Sequence, residues 1–180
     1  MKVSIIGTGD LDTISKYAKV SLKELNKLMK NTAKLLVSID AEVIILPARG
    51  VPYEFAKLYR KLGGRKVIGI IPARCPFYGK YTPQIIGPFM DVIDERFEVD
   101  SWYDVNGNIA TLGDYTICFG LSAGVMGEIS LMKYNLKYRG SRTKLVIFEQ
   151  TISKKLQKEV EVDIKPVYIS SVNQLKKILV

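Results

Sequence analysis

Asp114-Tyr115-Thr116-Ile117-Cys118-Phe119-Gly120-Leu121-Ser122-Ala123-Gly124-Val125-Met126-Gly127-Glu128 is an apolar run that breaks into glycine and restarts as a helix. The same grammar occurs earlier, in Glu42-Val43-Ile44-Ile45-Leu46-Pro47-Ala48-Arg49-Gly50-Val51-Pro52. A strand that ends in a tight small-residue loop and reopens as a helix leaves backbone N–H groups unpaired at the positive end of the helix dipole. Phosphate or another anion binds in such places. Two such loops in one α/β domain predict a nucleotide-like ligand lying across the carboxyl edge of a parallel sheet.

Outward from these loops the pattern alternates. Lys2 to Ile6 reads as a strand, and a helical stretch follows from about Thr13 to Ser38, with a break near Val20. Val43 to Leu46 is continuous in apolar residues, as a buried parallel strand is. Pro52 suits a first helical turn, and Phe55, Leu58, Tyr59 and Leu62 then share a face opposite Lys57, Arg60 and Lys61. Gly63-Gly64 ends that helix, and Lys66 to Ile71 is a third strand. Arg96 to Ser101 reads as a short strand, Asp104 to Leu112 as a short helix, Tyr115 to Phe119 as a strand, and Gly124 to Tyr138 as a helix. Lys144 to Phe148 and Pro166 to Ile169 are late strands, each expected to precede a basic amphipathic helix. Residues 73–90, with three prolines, two glycines and three aromatics before Phe89, read as a long irregular loop. It is either a cover over the ligand or a surface excursion packed on itself. Strands alternating with helices mean βαβ units, so residues 1–180 are expected to form a single doubly wound α/β domain with a mainly parallel central sheet and helices on both faces.

Composition narrows the chemistry. The 180 residues are 47% hydrophobic and 25% charged, and no apolar run approaches the ~20 residues of a membrane span. Met1 to Ile6 leads straight into Gly7, too short for a signal-peptide core, so a cytoplasmic protein with no membrane attachment is expected. There is no histidine, and the two cysteines, Cys75 and Cys118, make neither a disulfide framework nor a zinc set. Histidine-dependent triads are excluded, no metal is expected, and acid–base work falls to Asp, Glu, Lys or Tyr. The net charge of +9 raises a nucleic-acid partner. However, Lys16, Lys19, Lys23, Lys27, Lys30 and Lys34 recur at helical spacing opposite Ala18, Leu22, Leu25, Met29, Thr32 and Leu36. That is the pattern of a solvated outer face, with few aromatics for bases to stack on, so a nucleic acid is not the expected partner and a basic nucleic-acid-binding or assembly module stands only as a further alternative.

The candidate site residues come from the loops. Gly7, Thr8 and Gly9 make a Gly-x-Gly after the first strand, without the third glycine of a dinucleotide fingerprint, and read either as a tight turn or as a ligand contact. Gly120, Ser122, Ala123 and Gly124 are small enough for a ligand to approach the backbone. Glu128 lies one helical turn beyond Gly124 and serves either a ligand or the helix dipole. Arg49, beside Gly50, offers a guanidinium to a phosphate or is simply an exposed loop residue.

The spacing resembles that of the LOG-type proteins, long mislabelled lysine decarboxylases, within the SLOG superfamily. Gly63-Gly64-Arg65-Lys66-Val67-Ile68-Gly69-Ile70-Ile71-Pro72 is similar to their Gly-Gly-x-Val-Ile-Gly-Ile-Ile-Pro segment, and Gly124 and Glu128 fall on the glycine and glutamate of their Pro-Gly-Gly-x-Gly-Thr-x-x-Glu. Asn108 corresponds to the asparagine of an Arg-Asn pair in the relatives nearest molybdenum-cofactor carrier proteins, with Gly107 where the arginine would be. Leu121 and Ser122 replace the family's Gly-Gly, and Val125 its threonine. The resemblance implies a Rossmann-like domain, a homodimer or larger, that holds a nucleotide or pterin-like ligand at Gly7, Thr8, Gly9, Arg49, Gly50, Pro72, Asn108, Gly120, Ser122, Ala123, Gly124 and Val125. It also implies an alternative activity, hydrolysis of the N-glycosidic bond of a nucleoside 5′-monophosphate, with the motif's Glu128 catalytic. The family's arginine is replaced by Gly107, and Arg49 of the neighbouring loop is the catalytic candidate that takes its place by holding the phosphate.

Overall fold

A computed structural model describes all residues except 19 and 74–85. Most of the expected 73–90 loop, and Cys75, therefore lie outside the described residues. Seven strands form one sheet: β1 (Lys2–Gly7), β2 (Glu42–Ile45), β3 (Val67–Pro72), β4 (Glu95–Val99), β5 (Tyr115–Phe119), β6 (Lys144–Phe148) and β7 (Val167–Ile169). They lie in the order β4-β3-β2-β1-β5-β6-β7, and every neighbouring pair is parallel. The doubly wound α/β reading holds.

Parallel strands need crossovers, and here the crossovers divide the helices between two faces. Helices α1 (Leu11–Ala18), α2 (Leu22–Ser38), α3 (Val51–Lys61) and α7 (Val172–Leu179) cover one face, where Val3, Ile5, Val43, Ile45, Ile117 and Phe119 meet Leu25, Met29, Phe55 and Leu175. Helices α4 (Trp102–Asn108), α5 (Ala123–Tyr138) and α6 (Lys158–Ile164) cover the other, where Ile6, Ile44, Cys118, Leu145 and Ile147 meet Val105, Ile129, Met132 and Ile164. Successive strand residues alternate between the two sets, the period-2 signature of a strand buried on both sides. The charged sequence Glu95-Arg96-Phe97-Glu98 makes β4 a mostly exposed edge, which discourages pairing with other chains.

The long helical stretch is two helices. Ser21 is the N-cap of α2: its hydroxyl accepts from Glu24 N–H while Glu24 accepts from Ser21 N–H at 2.9 Å, a capping box that starts a new helix. Lys23, Lys27, Lys30 and Lys34 of α2 are exposed and Leu25, Met29, Thr32 and Leu36 are buried. One expectation fails. The helix after β6 carries Glu159, Glu161 and Asp163, not a basic face, and Lys154 and Lys155 precede it, Lys155 pairing with Glu149 at 2.8 Å.

The Gly63-Gly64 turn has a packing cause. A Cβ on Gly64 would lie 2.2 Å from the Tyr59 ring, and the Tyr59 hydroxyl donates to the Ala41 carbonyl while accepting from Arg65 N–H at 2.9 Å. The most family-like stretch of the sequence thus locks α3 to the turns beside it.

Gly7 closes the first strand under similar constraint: a Cβ there would sit 2.6 Å from the Phe119 carbonyl oxygen and 2.7 Å from Val51. A Cβ on Gly127, inside α5, would meet nothing within 4 Å. We expect Gly7→Ala to lower stability by about 1–3 kcal/mol through overpacking against backbone. Gly127→Ala should be neutral or stabilise by up to ~1 kcal/mol. Urea unfolding midpoints of the two variants check the contrast, and equal midpoints would contradict it.

Candidate functional site

The strand order reverses direction between β1 and β5. The chain leaves β1 toward the α1/α2 face and leaves β5 toward the α5 face, so the two connections diverge and open a crevice at the carboxyl ends. A cleft of about 190 Å³ lies there. Its lining comes from three separate segments: Ile5, Ile6, Gly7 and Gly9 from β1 and its loop, Leu46, Ala48, Arg49 and Pro52 from the β2–α3 connection, and Ser122, Gly124, Val125 and Glu128 from the start of α5. Asn106 and Ile109, in and just after α4, close the remaining side.

Local chemistry fixes each wall. Thr8 is buried, its carbonyl accepts from Val51 N–H at 3.1 Å, and its hydroxyl bonds the Asp10 backbone, so this residue joins the first loop to the second and does not line the cleft. Gly50, the N-cap of α3 at φ +93°, packs on that carbonyl, where a Cβ would come within 2.4 Å. Ser122 is the N-cap of α5, its hydroxyl accepting from Val125 N–H at 3.4 Å. The N–H groups of Ala123 and Gly124, in the first turn, have no intrahelical acceptor. Ala123 is exposed and does not line the cleft.

The structure relocates several sequence candidates. The Gly120 N–H donates to Thr151 Oγ1 at 3.1 Å, and a Cβ on Gly120 would meet Ile14 at 2.7 Å. This glycine, at φ +89°, therefore packs against α1 and offers no free donor. Pro72 is buried at the end of β3 and is not part of the cleft wall. Asn108 lines a different groove, at the amino ends of β5 and β6, and its amide donates to the Asp104 carbonyl at 2.6 Å. Asn106, two residues earlier, is the α4 asparagine that reaches the cleft. Its signal was positional: α4 starts at Ser101, whose side chain accepts from Asp104 N–H, and that register brings position 106 to the carboxyl edge.

Glu128 is the chemically unusual member. Only 9% exposed, it has one carboxyl oxygen, Oε2, buried without a hydrogen-bond partner among the described residues. Burial against apolar walls disfavours the charged form and pushes its pKa up from 4.5 to about 8. Arg49, the other ionisable residue of the cleft wall, is exposed at the rim and makes no ion pair with the described residues. A second hollow of about 260 Å³ shares Gly9 and Arg49 with the cleft but carries Asp10, Asp12 and Glu54.

The cleft is smaller than the ~300 Å³ at which pockets for drug-sized ligands begin, so it has room for one ring system, with the rest of a larger ligand at its open rim. An orphaned carboxyl oxygen supplies the polar contact such a ring needs. A phosphate carried on the ring meets favourable partial charge at the α5 N-terminus and at Arg49, and repulsion in the acidic hollow. Among the described residues no group of three or more His, Cys, Asp or Glu is placed to hold a metal ion, and no helix is long and apolar enough to cross a membrane.

The chain matches no protein-family model and no curated protein. Its fold, however, has solved counterparts. The molybdenum cofactor carrier protein of Chlamydomonas reinhardtii superposes with a TM-score of 0.64 at 16% identity, over 99% of this chain and 97% of that one. The molybdenum cofactor binding protein of the phototrophic bacterium Rippkaea orientalis gives 0.65 at 16% identity, with the same coverage. DNA processing protein A of Helicobacter pylori, described for its single-stranded DNA binding mode, gives 0.60 at 17% identity over 99% of this chain and 80% of that one. At these identities the likeness establishes the fold: this chain is built on the same single α/β framework as the molybdenum-cofactor carrier proteins.

Proposed function

We propose that this protein binds a small phosphorylated ligand, a nucleotide or a pterin-like compound, in the carboxyl-edge cleft between β1 and β5. The observation that carries the reading is the buried, unpartnered Oε2 of Glu128 in the cleft wall. An unsatisfied buried acceptor costs about 1–3 kcal/mol, which a ligand donor relieves. In this reading Gly9 and Gly124 allow close approach, the first turn of α5 and Arg49 hold the phosphate, and Asn106 and Glu128 orient the ring. The fold it shares with molybdenum-cofactor carrier and binding proteins supports a ligand-holding role. On the family resemblance we read the protein as homo-oligomeric, and on its sequence composition as cytoplasmic.

A second reading, an N-glycosidic hydrolase acting on a nucleoside 5′-monophosphate, is favoured by the protonation state of Glu128. A carboxyl that stays neutral to about pH 8 holds a proton that a departing base can take up as water adds to the sugar carbon. The products are the free base and ribose 5-phosphate.

Three outcomes test these readings. In a thermal-shift and calorimetric screen with AMP, other nucleotides and pterins, at least one phosphorylated ligand should raise Tm by an amount that grows with the logarithm of its concentration above Kd. Silence from all of them, with folded protein, would contradict ligand binding. If the protein is a hydrolase, AMP or another monophosphate should release free base, and Glu128→Gln should abolish the release. A flat time course with every common monophosphate would retire that activity.

The third outcome concerns Glu128 in the free protein. The folded carboxyl keeps a proton that the unfolded chain gives up above about 4.5, so stability falls as pH rises from about 4.5 to about 8. We expect Glu128→Gln to remove this slope, at up to ~1.4 kcal/mol per pH unit. Urea melts of both proteins across that window measure it, and parallel profiles would contradict a neutral Glu128.

A further inference from the structure

The carboxyl of Glu128 has a definite hydrogen-bonding identity, and that identity restricts what the cleft can recognise. The cleft wall it shares is apolar on its own face of the sheet: Ile6 from β1, Ile109 after α4, and Val125 from its own helix. Among the described residues the charged and titratable groups near it are few. Arg49 of the β2–α3 connection stands exposed at the rim. Cys118 of β5 is a fully buried thiol, held protonated chiefly by burial and secondarily by Glu128 itself. Asn106 of α4 is uncharged. Among the described residues nothing in these walls compensates a buried carboxylate, and an uncompensated buried charge neutralises instead of persisting.

A neutral carboxylic acid presents one donor and one acceptor side by side, whereas a carboxylate presents only acceptors. The two states therefore favour different partners. The neutral acid complements a ring edge with one donor beside one acceptor, such as an amino group next to a ring nitrogen or a lactam N–H next to its carbonyl. The carboxylate complements two adjacent donors, as on an amidine. A mismatch leaves a buried polar atom unpaired, and discrimination by such a site is correspondingly steep.

We propose that the cleft selects planar heterocycles that present a paired donor–acceptor edge to the neutral carboxyl of Glu128, and discriminates against double-donor edges. The proposal rests on the ligand-binding reading above and specifies the chemical class of its ligand. It places Glu128 as a specificity residue that touches the ring, with Oε2 as the contact that is unmade in the free protein.

The test uses AMP, whose base carries a mixed edge and does not itself titrate in the range used, and benzamidine, whose amidinium carries two donors. Affinities are measured by calorimetry from pH 7 to 9.5, above the range in which a phosphate monoester titrates (second pKa about 6). AMP should bind wild type with an affinity that holds to about pH 8 and then falls toward tenfold per pH unit as Glu128 ionises. Glu128→Gln keeps one donor and one acceptor, so it should bind within about threefold of wild type at pH 7 and show no fall. Glu128→Ala should bind at least tenfold more weakly. Benzamidine should bind wild type more tightly above pH 8 than below it. Affinity for AMP that rises with pH, or that is lost in Glu128→Gln, would overturn the proposal and show a carboxylate contact. Binding that is independent of pH and unaffected by Glu128→Ala would overturn the proposal while leaving ligand binding intact. Absence of binding by any of these probes and by the wider nucleotide and pterin screen would remove both.

Discussion

The divergence of the connections leaving β1 and β5 is the constraint from which the rest follows. These strands pair in register from Val3–Tyr115 to Gly7–Phe119, so their ends lie side by side, yet one connection turns toward α1 and the other toward α5. Neither helix can fill the space between them. The gap is floored by Ile5 and Ile6 and walled by the first turn of α5, which places the partial positive charge of a helix N-terminus over an apolar floor. Gly7 stays bare because the Phe119 carbonyl and Val51 leave no room for a side chain.

Much of this was readable from sequence. The fully buried strands were the most legible: β5 and β6 fall on Tyr115–Phe119 and Lys144–Phe148 because uninterrupted apolar runs between polar residues have few alternative folds. Edge strand β4 was vague because its charged residues face solvent and carry no periodicity. The break expected near Val20 falls between α1 and α2, and its physical cause is the capping box in Ser21-Leu22-Lys23-Glu24. The acidic α6 was missed because Lys154 and Lys155, on which a basic helix was expected, belong to the segment before it.

The site divides along the same physical line. Gly7, Gly9, Arg49, Ser122, Gly124, Val125 and Glu128 are brought to one cleft because each follows directly from a strand end, and strand ends share an edge in a parallel sheet. The residues placed elsewhere are those whose roles depend on distant partners. Gly120 is committed to Thr151 and Ile14, Thr8 to Val51, and Asn108 to the turn of its own short helix, and no local pattern announces those contacts. The state of Glu128 was likewise invisible, since a glutamate near the start of a helix ordinarily serves the dipole. Only the apolar enclosure makes it a neutral acid. A framework shared with cofactor carriers and with a single-stranded DNA-binding protein does not choose a function by itself, so the choice rests on this cleft.

The central claim is that the crevice between β1 and β5 is where the ligand sits, with its ring against Glu128. The most direct measurement is a crystal structure of the protein soaked or grown with the phosphorylated compound that most raises its Tm. The account predicts density bounded by Gly7, Arg49 and Gly124, with a ring atom within hydrogen-bond distance of Glu128 Oε2 and the phosphate toward Arg49 and the first turn of α5. A ligand found instead in the groove at the amino ends of β5 and β6, or a crevice closed by repacked side chains with the compound bound elsewhere, would contradict it.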